Sequence, residues 1–260
     1  MAVGKKLLQI VVLFLLFLGF LLAVREALME RQALQTGSSA NEHLPAYYVA
    51  TREKVMGLTF DISWGDEALR KVLEVLREYQ QPATFFVSGP WTRQNPDTAR
   101  VIAREGHEIA SHGHAHVNLS QRGDADIREN LQTARDILLD ITGQEPRFFR
   151  PPNGDFDARV VRIARELGQE TVIWAIDSLD WIERDPEKIA RRVVAGAFPG
   201  AIILLHASDS APATPEALPL IFRELGAMSY RLVPLSDLTL YGPLVREDPR
   251  GRPHKPNLPR

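Results

Sequence analysis

The chain of 260 residues contains no cysteine, and this absence excludes several kinds of chemistry. Disulfide bonds, thiolate metal sites and cysteine nucleophiles cannot form, so a fold of this size must rely on its apolar core. The net charge of −2 also lacks the positive excess with which proteins bind nucleic acid, which is therefore not expected as a partner. Apolar residues make up 45% of the chain, and this share excludes global disorder.

A long apolar run occupies the amino end of the chain. Between residues 7 and 24 the only polar side chain is Gln9, and two lysines precede the run. A helix of about eighteen residues spans about 27 Å, which is close to the hydrocarbon thickness of a bilayer. A cleavable signal peptide needs small residues before its cut, but Leu21 or Arg25 would stand at that place. The run therefore favours an uncleaved signal anchor, with a cleaved signal peptide as the alternative.

The composition divides the chain into four parts. Residues 1–25 form the expected transmembrane anchor, 26–52 a polar stalk, 53–240 the folded domain and 241–260 a proline-rich flexible tail. Positive charges flank both ends of the apolar run, so they orient it only weakly. A single anchor ahead of one large domain usually leaves that domain outside. We therefore expect a single-pass protein of the cell membrane with an extracytoplasmic domain.

Within residues 53–240, short apolar segments alternate with segments of helical periodicity. The predicted strands cover residues 55–60, 83–87, 108–110, 147–150, 171–176, 201–205 and 231–233. Strands that alternate with helices imply parallel pairing, either in a barrel or in an open doubly wound sheet. The Gly-rich phosphate loop of dinucleotide-binding folds does not follow the first strand, so no nucleotide cofactor is expected. The prediction is an α/β fold, an irregular (β/α) barrel of about seven parallel strands.

Ionisable residues fall at the ends of five predicted strands. They are Asp61, His112, Arg150, Asp177 and His206. The carboxyl ends of parallel strands meet on one face of such a fold, and barrels build their active sites there. One polar residue at a strand end is usually a helix cap, but five of them, including two imidazoles and a guanidinium, indicate an active site.

A pair of histidines follows the third predicted strand. His112 and His116 are four residues apart, so in a helical turn both imidazoles lie on one face and can converge on one metal ion. The alternative is a solvent-exposed loop that happens to be rich in histidine. The spacing alone does not decide between them.

Five segments, taken together, resemble the motifs of the polysaccharide deacetylase family, also called the NodB-homology domain or carbohydrate esterase family four. They are L-T-F-D at 58–61, G-H-E-I-A-S-H with a further His at 106–116, R-P-P-N-G at 150–154, D-S-L-D-W at 177–181 and L-L-H at 204–206. One such motif is a weak signal, but five in family order are specific. The resemblance covers residues from about 53 to 238.

The resemblance implies an irregular (β/α) barrel that removes acetyl groups from N- or O-acetylated sugars with a divalent metal, for which zinc is expected. It implies that Asp61 is the general base and that His112 and His116 are metal ligands. It also implies that His206 is the general acid that protonates the leaving amine. An amide is a poor electrophile with a poor leaving group, so both a metal and a positioned acid suit its hydrolysis.

Further roles follow from the same resemblance. Arg150, together with a carboxylate from Asp177 or Asp180, would hold and tune the base and the acid. The sequence leaves open which of the two carboxylates is the partner of His206. Substrate contacts are implied for Pro152, Asn153, Trp181 and Leu204.

The chain departs from the family pattern at three positions. Ile62 stands where the family has a second Asp, the third metal ligand, so metal should bind weakly unless Asp61 or Asp66 completes the shell. Asn153 replaces an aromatic residue of the sugar groove, and Gly113 replaces a Ser or Thr. The variant T-F-D-I-S-W-G-D-E itself resembles the membrane-anchored sporulation branch of the family.

The expected function is therefore deacetylation of N-acetyl sugars in cell-wall peptidoglycan, with the spore cortex as one candidate site of action. The expected partners are the wall glycan and the membrane. The first alternative is a catalytically weak or inactive domain that binds wall glycan or acts as a scaffold on the same fold. The second is an unrelated metal hydrolase on a similar barrel.

Overall fold

The computed structural model describes residues 43–251. The predicted anchor at 1–25, most of the predicted stalk and the last residues of the predicted tail lie outside this range. In the range that is described, none of the helices combines the length and the apolar character needed to cross a membrane.

The described chain alternates strands and helices as the sequence predicts. The strands are β1 (Tyr48–Val49), β2 (Val55–Ile62), β3 (Thr84–Val87), β4 (Glu108–Ser111), β5 (Phe148–Phe149), β6 (Glu170–Thr171), β7 (Ile176–Asp177), β8 (Ile202–His206), β9 (Arg231–Val233) and β10 (Leu244–Val245). The helices are α1 (Glu67–Glu78), α2 (Gly89–Gln94), α3 (Pro96–Arg104), α4 (Asp124–Thr142), α5 (Ala158–Glu166), α6 (Pro186–Ala195), α7 (Thr214–Ala227) and α8 (Leu235–Leu238). Short 3₁₀ turns cover Leu119–Gln121, Pro152–Gly154 and Thr239–Tyr241.

The main sheet is parallel and curled into an open half-barrel. Its strands lie in the order β6-β5-β4-β3-β2-β8-β7. The first part of β2 also pairs with β9, while its second part pairs with β3. The edge strands β6 and β7 follow one another in the chain, so residues 172–175 carry the backbone across the opening. This architecture confirms the predicted α/β fold of parallel strands.

The central strand β2 separates the apolar layer from the polar interior of the sheet. All eight of its residues are buried. Leu58, Phe60 and Ile62 belong to the main apolar cluster, which also includes residues of α1 such as Leu69 and Val72. Because successive side chains of a strand point to opposite faces, the intervening Thr59 and Asp61 face the other way. The sequence around Asp61 therefore buries a carboxylate at the end of an apolar strand.

One predicted strand differs from the structure. Residues 171–176 form one apolar run, but the chain divides it between β6 and β7 at opposite edges of the sheet. The backbone N–H of Val172 still donates to Phe149 on one side, whereas that of Ala175 donates to Ile202 on the other. Burial explains why the whole run is apolar, and apolar character alone does not reveal a change of partner strand.

The packed part of the chain is also wider than residues 53–240. Strand β1 lies in the predicted stalk and pairs antiparallel with β10 in the predicted tail. Ala46, Tyr47 and Val49 are buried, and the guanidinium of Arg246 donates to the carbonyl oxygen of Leu44 at 2.6 Å. Strands of two residues are too short to produce a visible alternation, which is why the sequence does not reveal them.

Candidate active site

The carboxylate at the end of β2 is held by a buried arginine. Nη1 of Arg150 donates to Oδ1 of Asp61 at 2.7 Å and to Oγ1 of Thr59 at 2.9 Å, and Nη2 donates to the carbonyl oxygen of Ile173 at 3.0 Å. The guanidinium carbon also lies 4.0 Å from the centroid of the Phe86 ring. Arg150 is fully buried, so these partners replace the water that it has lost. The arrangement fixes one oxygen of the Asp61 carboxylate and leaves the other available.

The charge state of Asp61 follows from its surroundings. Burial by itself raises the pKa of this carboxyl, but the charge of Arg150, assisted by those of His112 and His206, lowers the pKa below its ordinary value. Burial likewise lowers the pKa of Arg150, against the opposing effect of Asp61. Asp61 is therefore ionised at neutral pH.

The second pair joins the end of β8 to the segment after β7. Asp180 is fully buried; its Oδ1 lies 2.7 Å from Nδ1 of His206, while its Oδ2 accepts from the backbone N–H of His206 and from Oγ1 of Thr214. An ionised carboxylate can only accept, so Nδ1 of His206 carries a proton and Nε2 is left for other partners. Burial lowers the pKa of His206, but Asp180 outweighs it and the pKa is raised.

These contacts resolve the alternative that the sequence leaves open. Asp180 is the partner of His206, whereas Asp177 accepts the backbone N–H of Leu179 at 3.1 Å. Asp177 nevertheless lies close enough to contribute, more weakly, to the raised pKa of His206. Arg150 holds Asp61, the predicted base, and Asp180 holds His206, the predicted acid, so the two predicted tuning groups contact different residues.

The two histidines after β4 lie beside the Asp61 carboxylate. Their ring centroids are 5.5 Å apart. Nδ1 of His112 lies 2.8 Å from the carbonyl oxygen of Arg150; a carbonyl can only accept, so Nδ1 carries the proton and the lone pair is on Nε2. That nitrogen is 3.9 Å from Oδ2 of Asp61. Burial lowers the pKa of His112 to about 4, which keeps the ring neutral, as a metal ligand must be.

Among the described residues, His112 and His116 are not joined by a third side chain that could hold a metal ion. Within residues 43–251, no group of three or more His, Asp or Glu side chains is arranged to hold a metal ion. Ile62 is fully buried in the apolar cluster, and Asp66 forms an ion pair with Arg70. Asp61 is near but has one oxygen committed to Arg150. The residues present therefore do not fit the three-ligand shell typical of catalytic zinc.

A cavity of about 430 Å³ brings most of the predicted site residues together. It is lined by Asp61, His112, His116, Asn153, Asp177, Trp181, Leu204 and His206. The three other predicted residues, Arg150, Asp180 and Pro152, are buried and do not line it. Arg150 and Asp180 act through the residues they hold, and Pro152 has no direct access to a ligand.

The sequence misses several residues of the cavity. Trp64, Trp174, Ser208 and Ser210 also line it. Trp174 lies in the apolar run 171–176, where the sequence predicts a core residue. The two serines follow the L-L-H segment and belong to no motif. Trp64 has the clearest signal, because it follows Asp61 by three residues in a segment that already departs from the family motif.

The chain belongs to the polysaccharide deacetylase family, whose model matches residues 48–172. A peptidoglycan-N-acetylglucosamine deacetylase of Bacillus cereus is 34% identical over 196 residues, which cover 74% of this chain and 92% of the relative. The peptidoglycan-N-acetylmuramic acid deacetylase PdaA of Bacillus subtilis is 31% identical over 208 residues, 77% of this chain and 78% of the relative. The uncharacterized protein YlxY of Bacillus subtilis is 32% identical over 194 residues, and the match spans 60% of that relative.

Solved structures show the same fold. PdaA of Bacillus subtilis, a family 4 carbohydrate esterase, has a TM-score of 0.70 and 30% identity, over 79% of this chain and 89% of that one. A pseudoenzyme of the same esterase family from Bacillus anthracis has a TM-score of 0.71 and 33% identity, over 75% of this chain and 68% of that one. A mutant of that pseudoenzyme has restored enzymatic activity. The same fold therefore occurs with and without activity, and the difference depends on the side chains of the site.

Family members generally depend on a metal ion. This chain retains two imidazoles beside Asp61. At the position where the family pattern has a third metal ligand it has Ile62, whose side chain lies in the apolar core. Asp61 and His206 each have a buried partner, whereas the predicted metal ligands are only two.

Proposed function

We propose that this chain is a hydrolase that removes acetyl groups from N-acetylated sugars of cell-wall peptidoglycan. The observation that carries the proposal is the pairing of Asp61 with His206. These residues lie in register on β2 and β8, and each has a buried partner of its own. One is an ionised carboxylate and the other a protonatable imidazole, which are the two groups that amide hydrolysis requires. The relatives named as peptidoglycan deacetylases support the substrate class.

In the proposed reaction, the oxygen of water adds to the acetyl carbon and the C–N bond breaks, giving acetate and a sugar amine. Asp61 accepts the proton of the attacking water through Oδ2, because Oδ1 is held by Arg150. The guanidinium also prevents the carboxylate from turning away, so Asp61 needs no reorganisation when it accepts the proton from water.

His206 donates the proton that the leaving nitrogen needs. Asp180 occupies Nδ1, so the proton leaves from Nε2. The raised pKa keeps the imidazolium populated to higher pH than in a free histidine, which suits a general acid. Trp181 and Leu204, which line the cavity, supply apolar surface beside this acid.

We propose zinc as the metal of this site, held weakly by His112 and His116. Imidazole nitrogens suit zinc, and burial lowers the pKa of both rings, so both are neutral. Two protein donors give a weaker site than three, so we expect low occupancy in the purified protein.

A second candidate function is supported by the incomplete donor set. A domain with the cavity but without a tightly bound metal could bind wall glycan and carry out little or no hydrolysis. The similarity to a pseudoenzyme of the same esterase family supports this alternative. The complete Asp61–Arg150 and His206–Asp180 pairs favour the hydrolase, because a domain that only binds has no need of a buried acid and base.

The decisive experiment is an assay of acetate release. The full chain is incubated with purified peptidoglycan or N-acetylglucosamine oligomers, with added Zn²⁺ or with chelator. Release that disappears in Asp61→Asn, which keeps the size of the side chain, supports the hydrolase. Association with peptidoglycan and no acetate release under any metal condition would replace it with the binding domain.

We also propose that the domain is extracytoplasmic and anchored by residues 7–24. The support is the length of that apolar run and the large residues, Leu21 and Arg25, at positions where signal cleavage needs small ones. The native protein should partition with membranes, and deletion of residues 1–24 should release it. A mature amino terminus beyond Ala23 in mass spectra would instead identify a secreted protein.

The site of action that we propose is the peptidoglycan of the spore. The segment from residue 59 to residue 67, T-F-D-I-S-W-G-D-E, supports this through its resemblance to the sporulation branch. Acetate release should then be faster from cortex peptidoglycan than from vegetative wall. Equal rates on both would remove the preference.

A further inference from the structure

The tryptophans of the chain are unevenly distributed. Three of the four, Trp64, Trp174 and Trp181, line the cavity that contains Asp61 and His206, whereas Trp91 is buried. Trp64 is 50% exposed and Trp181 48% exposed, although an indole is among the most costly side chains to leave in water. Core packing explains Trp91, but it does not explain why Trp64 lies at the mouth of a polar cavity.

The backbone on both sides of Trp64 is fixed. The N–H of Ser63 donates to Oγ of Ser208 at 3.1 Å, and the carbonyl of Gly65 accepts from the indole of Trp91 at 2.7 Å. Gly65 has φ +71°, and the Asp209 carboxylate occupies the space that a Cβ would need there. Trp64 is thus an exposed aromatic side chain on a rigid loop, which can bind a ligand without the cost of ordering.

The position of Trp64 is defined by the order of the strands. Its loop follows β2, Trp181 follows β7, and β8, which carries His206, lies between those two strands. The ring of Trp64 also meets His116 edge-on, with 5.6 Å between centroids. The two exposed indoles therefore belong to strands on either side of the acid, and Trp64 lies on the side of the histidine pair.

We propose that Trp64 stacks on a sugar ring next to the one held at His206, and that it makes the cavity selective for chains of at least two N-acetyl sugars. The proposal rests on the proposed action on a wall glycan. A pyranose ring presents an apolar face of C–H groups while its hydroxyl groups remain in water, and a flat, half-exposed indole matches that face. Asn153, at a position where the family pattern has an aromatic residue, leaves that side of the cavity polar, so Trp64 supplies a stacking surface elsewhere.

The test measures binding, so that it does not depend on turnover. The full chain, kept in the presence of a chelator, is titrated with N-acetylglucosamine and its dimer and tetramer by calorimetry. Comparison variants add Trp64→Ala, Trp64→Phe or Leu240→Ala; Leu240 is an exposed apolar residue outside the cavity. Thermal unfolding followed by circular dichroism checks that each variant is folded.

The parent should bind the tetramer more tightly than the monomer. Trp64→Ala should weaken tetramer binding by roughly tenfold and monomer binding by less than about twofold, since one stacking contact is worth about a factor of ten. Trp64→Phe should retain most of the affinity, and Leu240→Ala should change nothing. Equal losses for monomer and tetramer, or tetramer binding unaffected by Trp64→Ala, would overturn the proposal. So would a parent that binds all lengths equally or not at all.

Acetate release is measured separately, in the wild-type chain with added Zn²⁺. Length-dependent binding through Trp64 without acetate release would contradict the hydrolase and leave this inference standing. Acetate release together with binding that is unchanged by Trp64→Ala would support the hydrolase and contradict this inference.

Discussion

The two halves of the site differ in completeness. On the acid–base side, Asp61 and His206 each have a buried partner at 2.7 Å. On the metal side, His112 has a backbone partner, but the two imidazoles share no third donor in the described chain. A single side chain makes the metal half incomplete, because Ile62 lies in the apolar core at the position where the family pattern has a carboxylate.

The comparison shows that the two halves are built independently. Arg150, the partner of Asp61, directly follows β5, and Asp180, the partner of His206, lies in the segment after β7; neither contact involves residue 62. Buried polar groups are stable only when each one remains hydrogen-bonded, and Arg150 and Asp180 provide this for Asp61 and His206 whatever residue stands at position 62. The metal half carries no such penalty, because two neutral imidazoles can remain without an ion.

The largest expected effect comes from breaking the acid–base half. Arg150→Met keeps much of the side-chain volume but leaves Asp61 buried without its partner. Removing one member of a buried ion pair costs about 3–5 kcal/mol, so denaturant unfolding should show a loss of that size. The exposed pair of Arg100 with Asp97 provides the control, and Arg100→Ala should have little effect. Recovery of stability in Arg150→Met with Asp61→Leu would confirm the cause; equal losses in the single and double variants would contradict it.

The second prediction removes the acid. His206→Ala should lower the rate of acetate release by about 10²–10⁴-fold, because general acid catalysis contributes on that scale. Zinc binding should change little, since His206 is not one of the two imidazoles at the metal side. Titration with Zn²⁺ and acetate release on the same preparation separate the two effects. A variant with full activity would exclude His206 from the mechanism.

The third prediction tries to complete the metal half. Ile62→Asp restores the family donor and should raise zinc affinity by at least about tenfold, a factor that even indirect partners of a metal reach. It should also lower stability, because a carboxylate enters a buried apolar position. Calorimetry with Zn²⁺ compares it with Ile62→Asn, which has the shape without the charge, and with His112→Ala. No binding in wild type and none gained in Ile62→Asp would favour the glycan-binding domain over the metalloenzyme.

The smallest expected effect is a shift in pH dependence. In the proposed reaction His206 must be protonated, so activity should fall as pH rises through its folded pKa, which Asp180 raises above the ordinary value. Asp180→Asn removes that charge, lowers the pKa and moves the alkaline limb of the profile to lower pH. Asp177→Asn should move it in the same direction but less, because its contribution is the weaker one. Rate profiles between pH 5 and 9 compare the three proteins; unchanged limbs in both variants would show that another group sets them.

Much of the site could be predicted because its residues end buried strands. Asp61, His112 and His206 follow apolar segments directly, so parallel pairing brings them together. The partner of His206 could not be predicted, because Asp177 and Asp180 belong to one motif and only the packing of that loop against β8 distinguishes them. Strand alternation predicts that Ile62 points away from Asp61, into the core. That prediction holds only if the strand extends to residue 62, and the sequence alone does not show this, because the predicted strand ends at residue 60. The split of residues 171–176 depends on sheet edges, which a local pattern does not contain.

The contacts of Ala46 have a mechanical consequence. Its N–H donates to the carbonyl of Thr171, and its own carbonyl accepts the N–H of Ile173, both at 2.8 Å. The carbonyl of Ile173 is in turn a partner of Arg150, which fixes Asp61. A pull on the amino end of the described chain would therefore load the contacts of Leu44 and Ala46 and reach Asp61 through two further hydrogen bonds. Tension applied at residue 43 would thus be transmitted to the position of the Asp61 carboxylate.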